Sequence, residues 1–470
     1  MSFIIGANSA VAGGFDVDNS CRFNYADSSY LEKTNSSSTS TNIDKYTLSF
    51  WVKRSSLTAY GDGNGGNIIA SNTAAYFQLY FKDDDTLRWQ EHDGSDSVGN
   101  LITNRLFRDV SAWYHIVCLY DSGNGTAGDR MQIWINGVRE TSFSTEAQPT
   151  QNANAQFGTA SQARRIANNS DGSRDFDGYI AEAVGLDGVC ASPVDTLGEF
   201  DEDSGIWKPK KVSGLTFGTH GFYLDFKDSA NLGNDANGGT DFGETNVAAT
   251  DQATDSPTNN FAVLNFLFPE VNVIYSEGNT VATADGSTNW SSVISTVGRS
   301  TGKWYWEWTA TSTNNVFVGI VSETLVNSGA LISDDTPYDQ NGLILYFAGR
   351  RKTVDGTDTE SHFTTFGSGT MSAALDLDSG TKTIKMFHNG SQTGDTINLT
   401  ANFGADPNDM VFPVFMVNSG SNTSIVNVNF GNPSYANSSS AADANGYGNF
   451  EYAPPSGYLA LCTKNIAEVG

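Results

Sequence analysis

The sequence predicts an all-β chain folded as two antiparallel β-sandwich domains, and three observations carry the prediction. Short stretches in which apolar and polar side chains alternate recur along the 470 residues, the period-2 signature of strands buried on one face. The segments between them are rich in Gly, Asn, Asp and Ser, and none has the 3.6-residue period of an amphipathic helix. Aromatic residues make up 12% of the chain and charged residues 17%, a balance unlike that of a disordered chain or a Glu/Lys/Leu-rich helical one. A chain of this length exceeds what one hydrophobic core usually serves, so the strands divide between two cores.

Residues 1–20 form a glycine-rich apolar arm, too short to fold alone, that must pack on its own domain or on a neighbour. The first domain spans residues 21–200. Thr47–Arg54 sets Leu48, Phe50 and Val52 on one face against Ser49, Trp51 and Lys53 on the other. Ala75–Phe81, Thr86–Gln90 and Trp113–Tyr120 follow the same pattern. In Arg130–Ile135 the apolar face is Met131, Ile133 and Ile135; Asn136-Gly137 then supplies a primed hairpin turn into Val138 and Arg139. Phe176–Leu186 closes the series.

Residues 201–262 open with Asp201-Glu202-Asp203, hold one evident strand in Gly221–Phe226 and offer little else to bury, so they read as an irregular linker. The second domain spans 263–470. Lys303–Trp308 stacks Trp304, Trp306 and Trp308 on one face. Val316–Ile320, Leu343–Phe347, Met371–Leu377, Thr383–His388 with its Asn389-Gly390 turn, Val411–Val417 and Ile425–Phe430 continue the sandwich. Ala436–Asn449 is a low-complexity loop, and Pro454–Tyr458 turns the chain into a last short strand, Leu459–Cys462.

Charge limits the partners. With 53 Asp and Glu against 26 Lys and Arg the net charge is −27, which repels nucleic acid and anionic bilayers. No run of 18 apolar residues exists, so no membrane insertion is expected. Met1–Gly6 lacks the basic start of a secretory signal, which points to synthesis in a cytoplasm. Cys21, Cys118, Cys190 and Cys462 are widely spaced, have no Cys-x-x-Cys pairing and read as free thiols.

In the first region, Trp51-Val52-Lys53, Trp113–Val117, Met131–Gly137 and Phe176–Glu182 resemble, in order and spacing, the laminin-G-like, concanavalin A-like jelly roll. Gly302–Glu307, Val318-Gly319-Ile320, Ala374–Asp378, Ile384–Gly390 and Val428–Gly431 resemble a SPRY domain. Gly13-Gly14-Phe15 with Ser20–Phe23, Thr254–Phe261 and Gly457–Thr463 are similar to proteins of tailed bacteriophages, particularly marine ones. That last resemblance implies a virion component made in the host cytoplasm, such as a tail fibre or a head or tail appendage, whose lectin-like domains touch the host surface.

The chemistry legible in the residues is sparse. Glycosidases on this sandwich carry a Glu-x-Asp-x-x-Glu strand, which is missing here. The nearest set is Asp175, Asp177 and Glu182, of which Asp177 and Glu182 fall on opposite faces of a regular strand. The five histidines stand apart, and His115 reads as hydrogen-bonded packing. No catalytic residue and no resident cofactor are expected, apart from a Ca2+ ion that the laminin-G-like resemblance suggests at the sandwich rim, with Asp83, Asp85, Asp121 and Asp129 as ligands. For a glycan, Tyr60, Asn64, Trp89 and the Arg164-Arg165 pair are candidate contacts, Trp89 having a rival reading as a sandwich-face aromatic. On the second domain the loops with Asp334, Tyr338, Arg350, Arg351 and Lys352 bring basic charge onto an acidic chain and suit a protein partner.

The expected function is therefore a non-enzymatic virion structural protein with host-surface carbohydrate binding. It would assemble with other virion proteins and as a homo-oligomer, since many weak sites on one particle attach firmly. Two alternatives stand beside it: a glycan depolymerase, and a capsid or tail decoration protein that cements its neighbours without binding sugar.

Overall fold

A computed structural model describes residues 14–57, 65–71, 74–169, 174–268, 272–286, 290–311, 316–329, 343–347, 351–354, 357–359, 368–399, 409–418 and 423–469. The chain divides into two units, Ala7–Thr258 and Asn259–Gly470.

The strands of the first unit are β1 (Ser20–Phe23), β2 (Tyr30–Thr34), β3 (Lys45–Arg54), β4 (Asn67–Ser71), β5 (Ala75–Phe81) and β6 (Thr86–Asp93). They continue with β7 (Ser97–Leu106), β8 (Tyr114–Asp121), β9 (Met131–Ile135), β10 (Val138–Arg139), β11 (Phe143–Ala147) and β12 (Ala163–Ile166). The last six are β13 (Gly178–Asp187), β14 (Gly198–Phe200), β15 (Trp207–Pro209), β16 (Phe222–Leu224), β17 (Gly243–Thr245) and β18 (Gln252–Ala253). Sheet 1 runs β10-β9-β8-β3-β13-β1-β18, with β16 also on β13; sheet 2 runs β11-β7-β6-β5-β4-β12-β2-β17. One core of Phe50, Val52, Phe77, Leu79, Trp89, Leu101, Ile116 and Ile180, among others, fills the space between the sheets. The turn Asn136-Gly137 has φ of +48° and +75°, as a primed hairpin requires.

The two outer faces of this sandwich differ. Sheet 1 is sealed by two apolar clusters. In one, Phe15 and Val17 of the arm join Trp51, Trp113, Tyr179 and Trp207; in the other, Ala191, Leu197, Val212, Leu215 and Phe217 cover Val117, Leu119, Val184 and Leu186. Among the described residues no apolar cluster lies on the outer face of sheet 2.

Residues 201–262 are not the irregular linker that the composition suggests. β15 pairs with β14, β16 with β13, β17 with β2 and β18 with β1, while Phe222, Leu224, Phe226, Leu232 and Phe242 enter the core. These strands are two or three residues long, too short for alternation to register, and are held by ladder hydrogen bonds and single aromatic anchors. A buried ion pair fixes the end of the segment. Lys53 Nζ lies 2.7 Å from Asp255 Oδ2, and Trp113 Nε1 donates to Asp255 Oδ1 at 2.8 Å. The unit therefore ends at Thr258 rather than near residue 200.

The second unit continues the numbering with β19 (Val273–Ser276), β20 (Val281–Ala284), β21 (Ser291–Ile294), β22 (Lys303–Ala310), β23 (Val316–Ser322), β24 (Leu343–Phe347) and β25 (Arg351–Val354). After them come β26 (Thr357–Thr359), β27 (Met371–Asp376), β28 (Thr383–His388), β29 (Ser391–Asn398), β30 (Val411–Val417), β31 (Ile425–Asn429) and β32 (Leu459–Ala460). One sheet runs β19-β20-β31-β22-β27-β28-β29 with β32 on β22, the other β21-β30-β23-β24-β25-β26. Trp304, Trp306 and Trp308, the three rings that alternation puts on one face, all lie in the core between them. The opposite face of β22 is covered by the C-terminal segment. There Glu307 accepts hydrogen bonds from the backbone N–H groups of Glu451 and Tyr452, each at 2.8 Å. The last strand stops at Ala460 instead of Cys462, because Thr463–Val469 turns into a helix.

Candidate functional site

The outer face of sheet 2 is the candidate site. Because Phe77, Leu79, Phe81, Leu87 and Trp89 point into the core, strand alternation sends Tyr76, Gln78, Tyr80, Arg88, Gln90 and His92 to the opposite face. Register aligns them across strands: Gln78 faces Gln90, which faces Asn100, while Tyr80 faces Arg88 and Tyr76 faces His92. The rings of Tyr76 and His92, both half-exposed, stack at 4.8 Å with an interplanar angle of 1°. Arg88 donates from Nη1 to the Tyr80 hydroxyl and from Nε to Asn100 Oδ1, each at 2.9 Å. From the loop before β13, Arg174 reaches over the same ring, its Cζ 4.8 Å from the Tyr80 centroid, and donates to Gln78 Oε1 at 2.8 Å. Tyr80 is fully buried under these two guanidiniums, and Gln78 and Gln90 are buried as well, so the face exposes in part the Tyr76–His92 stack, Arg88, Arg174 and Asn100, groups able to meet the apolar face and the hydroxyls of a sugar.

A second concavity of about 210 Å³ opens at the sandwich edge between β9, β10 and β11, lined by Asp129, Gln132, Arg139, Glu140, Phe143 and Glu146 among others. Its charges are largely spent internally. Asp129 pairs with Arg139 at 2.7 Å and Glu140 with Arg105 at 2.7 Å.

The structure scatters the residues selected from sequence. Trp89, a candidate sugar platform, is fully buried and donates from Nε1 to the Tyr46 hydroxyl at 3.0 Å. The rival reading holds, because β6 turns Trp89 inward. Arg164 also points inward; it lies over the Phe157 ring at 4.3 Å and donates to Asn35 Oδ1 and to the His220 carbonyl. Its neighbour Arg165 points outward but is tied to Glu32 at 2.5 Å and stacks over Tyr30 at 4.2 Å. Tyr60, Asn64, Asp334, Tyr338 and Arg350 lie outside the described residues; Arg351 and Lys352 sit in β25, paired with Phe347 and Tyr346.

The four aspartates chosen for calcium do not converge. Asp83 is exposed in the β5–β6 turn, whereas Asp85 is buried against Arg54 and Arg108 at 3.0 and 2.8 Å. Asp129 is held by Arg139, and Asp121 Oδ2 lies 3.2 Å from Lys45 Nζ. The other oxygen of Asp121 is buried without a hydrogen-bond partner. With Asp44 Oδ2 and Asn152 Oδ1 it surrounds Gly123, the three oxygens standing 3.4, 3.1 and 3.9 Å from where a Cβ would be. Two carboxylates and an amide oxygen gathered around one glycine are ligand types that suit a hard cation. Among the described residues no group of three or more His, Cys, Asp or Glu gathers to hold a metal.

The remaining titratable groups are separated. His115, between Trp51 and Trp207, accepts from Trp207 Nε1 at Nδ1 (2.9 Å) and contacts Ser49 Oγ through Nε2 (2.8 Å); burial pushes its pKa down to about 3. Glu182 sits at a β-bulge with φ +47°, accepts from the Tyr223 hydroxyl at 2.7 Å and is raised by burial to about 7. Asp175 instead accepts from Ser28 and Asn168. Sequence reasoning missed the face carrying Tyr80, Arg88 and Arg174. The signal was present in Thr86–Gln90, since placing Leu87 and Trp89 inside obliges Arg88 and Gln90 to face outward.

Residues 26–186 match the family model described as the concanavalin A-like lectin/glucanases superfamily, a span wholly within the first unit. No curated protein matches the chain. Among solved structures, stonustoxin aligns at 18% identity over 36% of this chain and 27% of its own, with a TM-score of 0.27. The TRIM65 PSpry domain aligns at 16% identity over 36% of this chain and 92% of its own, TM-score 0.28. The native heptameric SAP-like pentraxin from Limulus polyphemus aligns at 14% identity over 43% of this chain and 100% of its own, TM-score 0.29. The fold class is all-β with multiple antiparallel sheets, and the concanavalin A-like match falls on the first unit. Among the described residues no helix is long and apolar enough to cross a membrane.

Proposed function

We propose that this chain is a non-enzymatic, glycan-binding structural subunit of a bacteriophage virion, an exposed tail fibre or appendage that assembles with copies of itself and with other virion proteins. The observation that carries the glycan part is the contrast between the two outer faces of the first unit. Sheet 1 is closed by apolar clusters, while sheet 2 leaves Tyr76, His92, Arg88 and Asn100 partly exposed, with Arg174 beside them from a loop. The concanavalin A-like family match agrees with it. The virion part rests on the resemblance of Ser20–Phe23, Thr254–Phe261 and Gly457–Thr463 to tailed-phage proteins. A Ca2+ ion, where bound, would be held by Asp44, Asp121 and Asn152 and would stiffen that rim.

The test is retention of the full-length chain on immobilised bacterial surface polysaccharides, with reducing ends measured in the eluate. Retention without new reducing ends is expected. Release of products would make the chain a depolymerase, and no retention on any polymer would leave the cementing alternative.

A further inference from the structure

Resting on the glycan-binding reading, we propose that the outer face of sheet 2 takes an acidic glycan, and that Arg88, supported by Arg174, receives the carboxylate of a uronic-acid residue laid beside Asn100. Charge sets this face apart. In a chain of net charge −27, arginines readily find acids, and most of those in this unit have done so. Arg22 meets Asp251, Arg54 and Arg108 meet Asp85, Arg105 meets Glu140, Arg139 meets Asp129 and Arg165 meets Glu32.

Arg88 differs. It is half-exposed, its partners are the neutral oxygens of Tyr80 and Asn100, and no carboxylate lies within ion-pair distance among the described residues. Those two bonds fix the guanidinium at Nη1 and Nε, so its remaining donor edge is oriented before any ligand arrives. Arg174 brings a second positive charge over the same ring, the two Cζ atoms lying 5.9 and 4.8 Å from the Tyr80 centroid. A planar carboxylate matches the guanidinium fork with paired charge-assisted hydrogen bonds. Asn100, half-exposed beside Arg88, would meet a hydroxyl of the same sugar chain, and the Tyr76–His92 stack would meet an apolar sugar face.

The experiment measures binding of the full-length chain to four polymers: alginate, carboxyl-reduced alginate, dextran sulfate and dextran. The wild type is compared with Arg88→Gln and Arg88→Lys, with circular dichroism confirming the fold of each variant. Alginate is expected to bind, its carboxyl-reduced form to bind at least about tenfold more weakly, and Arg88→Gln to lose about tenfold to a hundredfold on alginate. Arg88→Lys, which keeps the charge and loses the fork, should fall between them. Equal binding of alginate and its reduced form, unchanged by Arg88→Gln, would overturn this assignment and leave the glycan reading standing. Dextran sulfate binding as tightly as alginate with the same Arg88 dependence would overturn the carboxylate assignment. No binding to any polymer would overturn both readings.

Discussion

Glu91 is the most informative single substitution in the first core. Its side chain is fully buried, one carboxyl oxygen meeting the Tyr46 hydroxyl and the other accepting from the Gln156 backbone N–H at 3.0 Å. Burial raises its pKa from the ordinary 4.5 to about 8. The folded chain therefore holds this proton up to about pH 8, while the unfolded chain releases it above pH 4.5. The stabilisation is complete below pH 4.5 and is lost progressively as the pH rises through 8. At about 1.4 kcal/mol per pH unit, the loss over that window is about 5 kcal/mol. Glu91→Gln removes the titration while keeping the shape, with its amide oxygen able to accept from Gln156 and its NH2 to face Tyr46. Hydrogen exchange of Thr86–Asp93, corrected for intrinsic rates, reads the opening free energy at pH 5, 7 and 9. The wild type should lose several kcal/mol between pH 5 and 9 and Glu91→Gln almost none. Parallel pH profiles would refute a buried, protonated Glu91.

Three further outcomes follow from the packing. Trp89→Ala should cost about 3–5 kcal/mol, read as a lowered midpoint of the first unit's unfolding, because it empties a core site rather than a surface one. Asp255→Ala leaves Lys53 charged in a buried position and should cost about 3–5 kcal/mol, with limited proteolysis then cutting within residues 228–258. Millimolar Ca2+ should raise the melting temperature of the wild type and leave Asp121→Asn unmoved; an equal response from both would remove the Asp44–Asp121–Asn152 cradle as the binding place.

Much of the fold was legible because its long strands alternate cleanly. Ala75–Phe81 is identical in sequence reading and structure, and both Asn-Gly turns fall where expected, with positive φ at Asn136, Gly137, Asn389 and Gly390. Alternation gives the phase of a strand but not which face is inside. Trp89 and Arg164 were therefore open to misreading, since the outer face of sheet 2 also carries large rings in Tyr76 and Tyr80. Between residues 201 and 258 only the strand in Gly221–Phe226 was legible; β15, β17 and β18 escaped for a different reason, since two or three residues hold at most one repeat of a two-residue pattern. The site was legible only in part. It is assembled by register between β5, β6 and β7 and by Arg174, which lies 86 positions from Arg88 in the chain, and pairing at that range leaves no local signal.

The central claim is that the outer face of sheet 2 is the recognition surface. A crystal structure of the full-length chain with a bound oligosaccharide tests it most directly. The sugar should lie against Tyr76, His92, Arg88 and Asn100. Its appearance instead in the Asp129–Glu146 concavity, or on the second unit, would contradict the account.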